Sequence, residues 1–384
     1  MISKKKQPGV PEQHATRAIF FVGGFGAASW APLVPLLKAR LGIAEDVLGM
    51  LLLCIGIGSL LTMPLSGAAA VRLGCRKVLT AAGLVYAVLL LLLCTVSSFG
   101  MAVPLLLIFG ATMGCIDVVV NIQAVIVEKA AGRRLMSGMH ALWSVGGFAG
   151  AGLFGIWVGT FALTPLLSTI IAAAIMVLVT LAASRHLLPY GGDAGGKLLA
   201  LPKGIVTFVG IIACIAFLVE GAIMDWGGVF LTTVRHFDMS LAGTAFTVFS
   251  AAMLTMRLLG DWTVQKLGQE RVVIGGSLLA VAGFLLVIFA AEPVLLYLGF
   301  FAIGIGCANV VPVFFSLLGK QRVMPISLAV PAVSTLGYLG ILMGPAVIGF
   351  IAHQTSLYTA FGLLAFLVLL QSIIAAYVYR HILD

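Results

Sequence analysis

Charge is scarce in this chain. Of 384 residues only 9% are Asp, Glu, Lys or Arg, against 61% hydrophobic, and the acids number 13. No polar stretch runs longer than about twenty residues, which leaves no room for a soluble catalytic, nucleotide-binding or DNA-binding domain. Cysteine is sparse as well. Six stand at positions 54, 75, 94, 115, 214 and 307, with no CxxC pair and no histidine cluster nearby, and they read as reduced, buried small hydrophobes rather than metal ligands. No cofactor, no metal and no enzymatic activity are expected. The net charge of +9 would suggest nucleic acid in a soluble protein. Here its sign follows topology, because cytoplasmic loops retain Lys and Arg, and no nucleic-acid partner is implied.

What the chain has instead is a succession of apolar runs of about 20 residues, each long enough to cross the hydrocarbon core of a bilayer. It reads as an all-α polytopic membrane protein whose first partner is lipid. Charged and Gly/Pro punctuation separates twelve spans. The first six are residues 17–39, 46–71, 77–98, 102–128, 135–160 and 163–187, and the second six are 204–234, 239–264, 271–291, 294–318, 325–352 and 356–380. Lys4 to Lys6 before an apolar run resemble the start of a signal peptide. The run from Arg17 to Leu37, however, is long, contains Trp30, Pro32 and Pro35, and lacks an A-x-A site, so it reads as a retained first span. With both termini inside, the inner segments hold eighteen Lys and Arg and the outer ones only Lys38, Arg40 and Arg235. That asymmetry orients the chain, and a bacterial inner membrane is the expected location.

The two sets of six repeat. SWAPLVPLLKARLGI from Ser29 aligns with DWGGVFLTTVRHFDM from Asp225, GCIDVVV from Gly114 with GCANVVP from Gly306, and SVGGFAG from Ser144 with STLGYLG from Ser334. The Gly/Pro-rich stretch 189–203 is the natural linker between halves 1–188 and 204–384. A parallel duplication of six spans is the signature of the major facilitator superfamily, which this chain resembles over nearly its whole length, and the resemblance implies a substrate site at the midplane between the halves. The family's loop after span two is roughly G-x-x-x-D-R-x-G-R-R/K. This chain has Gly67, Val71, Arg72, Gly74, Arg76 and Lys77 there, and Gly260, Asp261, Gln265, Lys266, Gly268 and Arg271 after span eight. The family's acid is missing from both aligned places. Its work, which is to hold inner helix ends together by charge and helix-dipole contacts, falls to Asp261 or Arg257, or else the basic residues only set topology. NIQAVIVEKAAGRRLMSGMHALWSVGG and EGAIMDWGGVFL are similar to the bacterial YbjJ-type and fucose-permease-like branch, which implies proton-linked uptake of a polar solute. Drug:proton antiporters typically carry Gly-x-x-x-Gly-Pro in span five. Here span five reads SVGGFAGAGLFGIWVG without proline, although span eleven holds Pro345 in GYLGILMGPAVIG.

The acids inside the spans carry the chemistry. A charge at mid-bilayer costs about 2.5–3.5 kcal/mol even on the lenient insertion scale, so such residues face cavities and act there. Helical spacing places Gly110, Gly114, Asp117, Asn121 and Glu128 on one stripe of span four, while Gln123 lies off it and bonds a neighbouring helix. A carboxylic acid held out of water favours its neutral form and so exchanges protons near neutral pH. Asp117 therefore reads as a proton or substrate site, or alternatively as a fixed hydrogen bond to Asn121. Its repeat counterpart is the uncharged Asn309. Glu220, whose counterpart is Gly24, is a second candidate for proton coupling or substrate binding. Asp225 beside Trp226 is a gate or an interface anchor. Glu128, Arg133, Arg134 and His140 cluster around the loop between spans four and five, where a Glu/His pair would relay a proton or lock an inner gate, or Glu128 would simply cap helix ends with an Arg. Arg72, Arg76, Lys77, Arg257 and Asp261 complete the gating set. Trp30, Trp143, Asn309, Ser334 and Tyr338 join Asp117 and Asn121 as a substrate surface suited to sugars or other polyhydroxylated solutes. The expected protein is a monomeric proton-coupled symporter of a small polar solute working by alternating access. Proton-coupled export of drugs or metabolites is the alternative within transport, and a non-transporting receptor or scaffold the alternative outside it.

Overall fold

The computed structural model describes residues 7–43, 45–192, 201–237, 241 and 243–382. Most of the expected linker, residues 193–200, lies outside the described residues, as do Lys4, Lys5, Lys6 and Lys197. The described chain is a succession of helices: α1 Val10–Trp30, α2 Leu33–Leu41, α3 Glu45–Thr95, α4 Phe99–Ala131, α5 Met136–Gly159, α6 Pro165–Ser184, α7 Ile205–Val229, α8 Thr244–Leu267, α9 Gln269–Phe289, α10 Pro293–Cys307, α11 Val310–Leu318, α12 Ile326–Gln354 and α13 Leu357–Ile382. A π-helical turn, Phe230–Val234, prolongs α7.

Nine helices among the described residues are long and apolar enough to cross a membrane, or ten if the α1–α2 pair, bent by 40°, is one span. Two further spans complete the twelve. Helix α3 is two helices joined at Gly74, whose φ of 82° and ψ of 152° are not helical. Helix α8 carries Arg257, Asp261 and Lys266, which lowers its hydropathy without shortening it. The first span starts earlier than its apolar run, at Val10. Pro11 there sits in the first turn, where its missing N–H costs nothing, and the Glu12 carboxylate accepts from the Gly9 amide at 2.7 Å. The span breaks at residues 31 and 32, next to Pro32.

The chain forms two compact units. One comprises residues 1–133, 139–200 and 325–331, and the other residues 134–138, 201–324 and 332–384. Two short segments, 134–138 and 325–331, group with the unit that holds the rest of the opposite half. Close packing explains the second of these. A Cβ on Gly67 would overlap the Ser327 carbonyl oxygen and lie 2.6 Å from the Pro331 ring.

In the first unit α3 and α4 approach until Gly110 rests on the Ile55 backbone and Gly114 on Ser59, and the Ser59 hydroxyl donates to the Gly110 carbonyl at 2.6 Å. Without a hydrophobic force between helices in lipid, such small-residue contacts are how helices adhere. Gly74 turns the chain at the α3 kink with the positive φ that glycine alone adopts freely, and a Cβ there would meet the Pro189 carbonyl oxygen. The second unit is filled by aromatics. Phe230 stacks on Phe361 at 4.5 Å between centroids, and Phe284 meets Phe361 edge-on at 6.1 Å. All six cysteines are free. Cys75, Cys94 and Cys307 are buried, whereas Cys54, Cys115 and Cys214 are only partly so, because they stand on helix faces that the neighbouring helices cover incompletely.

Candidate functional site

In the first unit α4 carries Asp117 at a half-buried position and Asn121 one turn further on, fully buried. Four residues apart on a helix are neighbours on one face. The Asn121 amide donates to the Asp117 backbone carbonyl at 2.9 Å and to its carboxylate Oδ1 at 3.3 Å. The other side of Asn121 reaches α5, where its Oδ1 lies 3.1 Å from His140 Nε2. An amide oxygen only accepts, so the histidine nitrogen is the donor. His140 is 9% exposed and packs against the Phe20 ring of α1 at 4.9 Å. Carboxylate, amide and imidazole thus form one chain across two helices. His140 meets Asn121 across nineteen positions of sequence, so the contact is set by tertiary packing. Glu128 is buried at 6% exposure.

The stripe on α4 divides in two. Its glycine half faces α3 as a helix contact rather than open space, and only its polar half carries titratable groups. Gln123 bonds neighbouring segments as its off-stripe place implied. Its amide donates to Thr16 Oγ1 at 2.9 Å, and its carbonyl accepts from the Leu188 amide at 3.0 Å.

In the second unit the acid is Glu220 on α7. Its Oε2 lies 3.5 Å from Arg257 of α8, the side chains being 31% and 9% exposed respectively. Arg257 also donates from Nε to the Ala308 carbonyl at 3.3 Å. That carbonyl is available for a readable reason. Its helical donor would be the amide of residue 312, and residue 312 is proline, which has none. The helix therefore breaks between α10 and α11 with Asn309 at the joint, φ −102° and ψ 1°. The residue of the first unit aligned with Pro312 is Val120, and α4 runs through it unbroken. One proline makes the two repeats differ in backbone as well as in charge. Asn309 donates to the Met256 carbonyl at 3.3 Å, while its Oδ1 is buried and has no hydrogen-bond partner among the described residues. The Ser334 hydroxyl on α12, 1% exposed, has none either.

Gly24, the counterpart of Glu220, shows why the first unit has no acid there. A Cβ on Gly24 would overlap the Trp143 backbone carbonyl oxygen, and the Trp143 ring lies over Gly23. Trp30 is 6% exposed against Phe109, 5.8 Å between ring centroids. Tyr338 on α12 is half-buried, and Asp225 on α7 is exposed.

The basic residues have separate tasks. Arg76 donates to the Leu187 and Arg185 carbonyls at 3.0 and 2.7 Å, just beyond the C-terminus of α6, where a cation is favoured. Arg133 donates to Gln13 at 3.0 Å. Arg72 and Lys77 are exposed. Tyr190, in the segment that Arg76 clips down, has its phenol pKa pushed above the ordinary value, first by burial and then by nearby Cys75 and Glu12. Asp261 accepts from the Ser137 and Gly138 amides, both at 3.0 Å. These are free amides in the first turn of α5, so one carboxylate caps a helix that has no acid of its own in that turn. Asp261→Asn keeps the shape, loses one acceptor and the charge, and is expected to destabilise the protein by about 1–2 kcal/mol. Thermal unfolding of the purified protein reads this, and Asp261→Glu should recover part of the loss.

Twelve membrane helices in two six-helix halves, with ionisable side chains inside the helices, define a transport protein. The chain belongs to the Major Facilitator Superfamily, whose model matches residues 18–321 and 209–382. It is 47% identical over 366 residues to an uncharacterized MFS-type transporter of Yersinia pestis, covering 94% of each chain. Its fold is similar to that of the human organic anion transporter MFSD10, at 17% identity and a TM-score of 0.77 over 95% of this chain and 99% of that one. It is equally similar to the E. coli fucose:proton symporter FucP, at 15% identity and a TM-score of 0.76 over 96% and 98%.

Proposed function

We propose that this transporter is a proton-coupled symporter that takes up a small polar, sugar-like solute by alternating access, as a monomer in a bacterial inner membrane with both termini cytoplasmic. The observation that carries the reading is the Asp117–Asn121–His140 chain. It joins two groups able to bind a proton inside an apolar helix pair, an arrangement costly to keep in a membrane unless protons use it. Glu220 supplies a second acid, held by Arg257. Protonation of Glu220 would release Arg257 and couple the acid to the α10–α11 break through the Ala308 carbonyl. The Asn309 Oδ1 and the Ser334 hydroxyl, which have no hydrogen-bond partner among the described residues, suit a hydroxylated solute, because buried polar atoms gain most from a partner. The fold likeness to a fucose:proton symporter agrees with this choice.

The test is purified protein in proteoliposomes containing a pH-sensitive dye, challenged with hexoses, pentoses and polyols. Symport predicts that an added solute brings protons in with it. Proton movement of opposite sign identifies export by exchange, and neither solute flux nor proton movement with any solute identifies a non-transporting protein.

A further inference from the structure

A second chemically defined site lies in the second unit, on residues other than Glu220 and Arg257. A cavity of about 280 Å³ opens where α9 begins, and its wall includes Arg134, Arg271, Lys320, Glu270, Gln269 and Tyr379. Three cations against one carboxylate leave this wall two charges positive. Helix α9 is 21 residues long, and its N-cap residue is Gly268, which has no side chain to cap it, so the amides of its first turn face the same region with the positive end of the helix dipole. Two residues of this wall carry buried donors. Gln269, 8% exposed, accepts at its Oε1 from Lys320 Nζ at 3.3 Å. An ammonium only donates, so the amide orientation is fixed, and the Gln269 Nε2 on the other side is buried with no hydrogen-bond partner among the described residues. Tyr379, 5% exposed with its ring 6.1 Å from that of Phe314, likewise has a buried hydroxyl with no hydrogen-bond partner among the described residues. Buried donors are almost always satisfied. Here the residues that carry the unsatisfied donors, the excess positive charge and the start of α9 line one cavity.

We infer that this cavity is an anion site for a phosphate-type group, with room for the group and several waters at roughly 30 Å³ each. Arg271 and Lys320 supply charge, Gln269 Nε2 and the Tyr379 hydroxyl supply hydrogen bonds, and the first turn of α9 supplies its dipole. The phosphate comes either from the headgroup of an anionic lipid or from free solution.

The test is delipidated full-length protein in neutral detergent. One arm titrates inorganic phosphate against chloride at constant ionic strength, and the other adds phosphatidylglycerol against phosphatidylcholine. Unfolding midpoint and affinity are read in both. The expected result is a higher midpoint with at least one phosphate source. Affinity should fall about tenfold in Arg271→Gln and in Lys320→Gln, the size of one charge-assisted hydrogen bond, while Lys38→Gln should bind as the parent does. Stabilisation by phosphate identifies a free anion, and stabilisation by phosphatidylglycerol alone identifies a lipid headgroup. Tyr379→Phe keeps the ring against Phe314 and removes only the hydroxyl, so it decides the matter should a charge variant fail to fold. The inference is overturned if neither source moves the midpoint, or if the variants that fold all bind like the parent.

Discussion

Asp117→Asn is expected to leave the protein folded and to abolish solute accumulation driven by protons. An asparagine there has the shape of the acid and still offers an oxygen to the Asn121 amide, which also keeps its 2.9 Å bond to the backbone carbonyl of residue 117. The loss of stability should therefore stay near about 1 kcal/mol, the net worth of one hydrogen bond. What disappears is the only group in the Asp117–Asn121–His140 chain whose charge a proton cancels at the acid end. One proton moving down 100 mV supplies about 2.3 kcal/mol, which is roughly a fifty-fold accumulation ratio. In proteoliposomes that ratio should fall to one, while exchange of labelled for unlabelled solute continues, since exchange needs no net proton movement. Retention of proton-driven accumulation by this variant would remove Asp117 from the coupling path. His140→Gln keeps a donor toward Asn121 and removes the imidazole, and should slow coupled uptake with less effect on exchange.

Glu220→Gln is expected to be the most destabilising of the single site substitutions. Arg257 sits 9% exposed with Glu220 at 3.5 Å and the Ala308 carbonyl at 3.3 Å, so neutralising the acid takes the Glu220 charge away from a buried guanidinium. Breaking a buried pair from one side costs about 3–5 kcal/mol, and the 31% exposure of the Glu220 side chain puts this case at the lower end, about 3 kcal/mol. Arg257→Met should cost less, because the remaining carboxylate reaches water. Removing both charges in Glu220→Gln/Arg257→Met should recover most of the loss, as replacement of a whole buried pair often does. A double-mutant cycle on unfolding midpoints reads the coupling directly. Additive single effects would mean that the pair contributes nothing, and the release of Arg257 on protonation would then have no basis.

The helices were legible because the bilayer fixes their length. The sequence expectation for span four, 102–128, lies within α4 at Phe99–Ala131, and that for span twelve, 356–380, matches α13 at Leu357–Ile382 to within two residues at each end. The departures have local causes that no hydropathy window registers. Gly74 interrupts helical backbone without interrupting hydrophobicity, and α8 carries three charged residues in its last three turns yet remains a continuous helix. Asp117 and Asn121 were readable as neighbours because four residues on a helix share a face. Their link to His140 was not, since it depends on how α4 packs against α5. Pro312 was a readable signal that Ala308 would lack its helical donor, but that Arg257 would take up the freed carbonyl depends on α8 lying beside the break.

By itself the sequence determined that the chain lives in a membrane, that it crosses twelve times in two repeated halves, and that Asp117 and Glu220 are costly acids in apolar spans. These follow from period, length and the expense of charge in lipid, all of which are properties of single helices. The tertiary structure alone decided the partners: His140 for Asn121, Arg257 for Glu220, the α5 amides for Asp261, and the convergence of Gln269, Tyr379 and three cations on one cavity. Hydrogen bonds and ion pairs form over about 3–4 Å between side chains on different helices, and that proximity is set by small-residue packing between helices, which hydrophobic patterning does not encode.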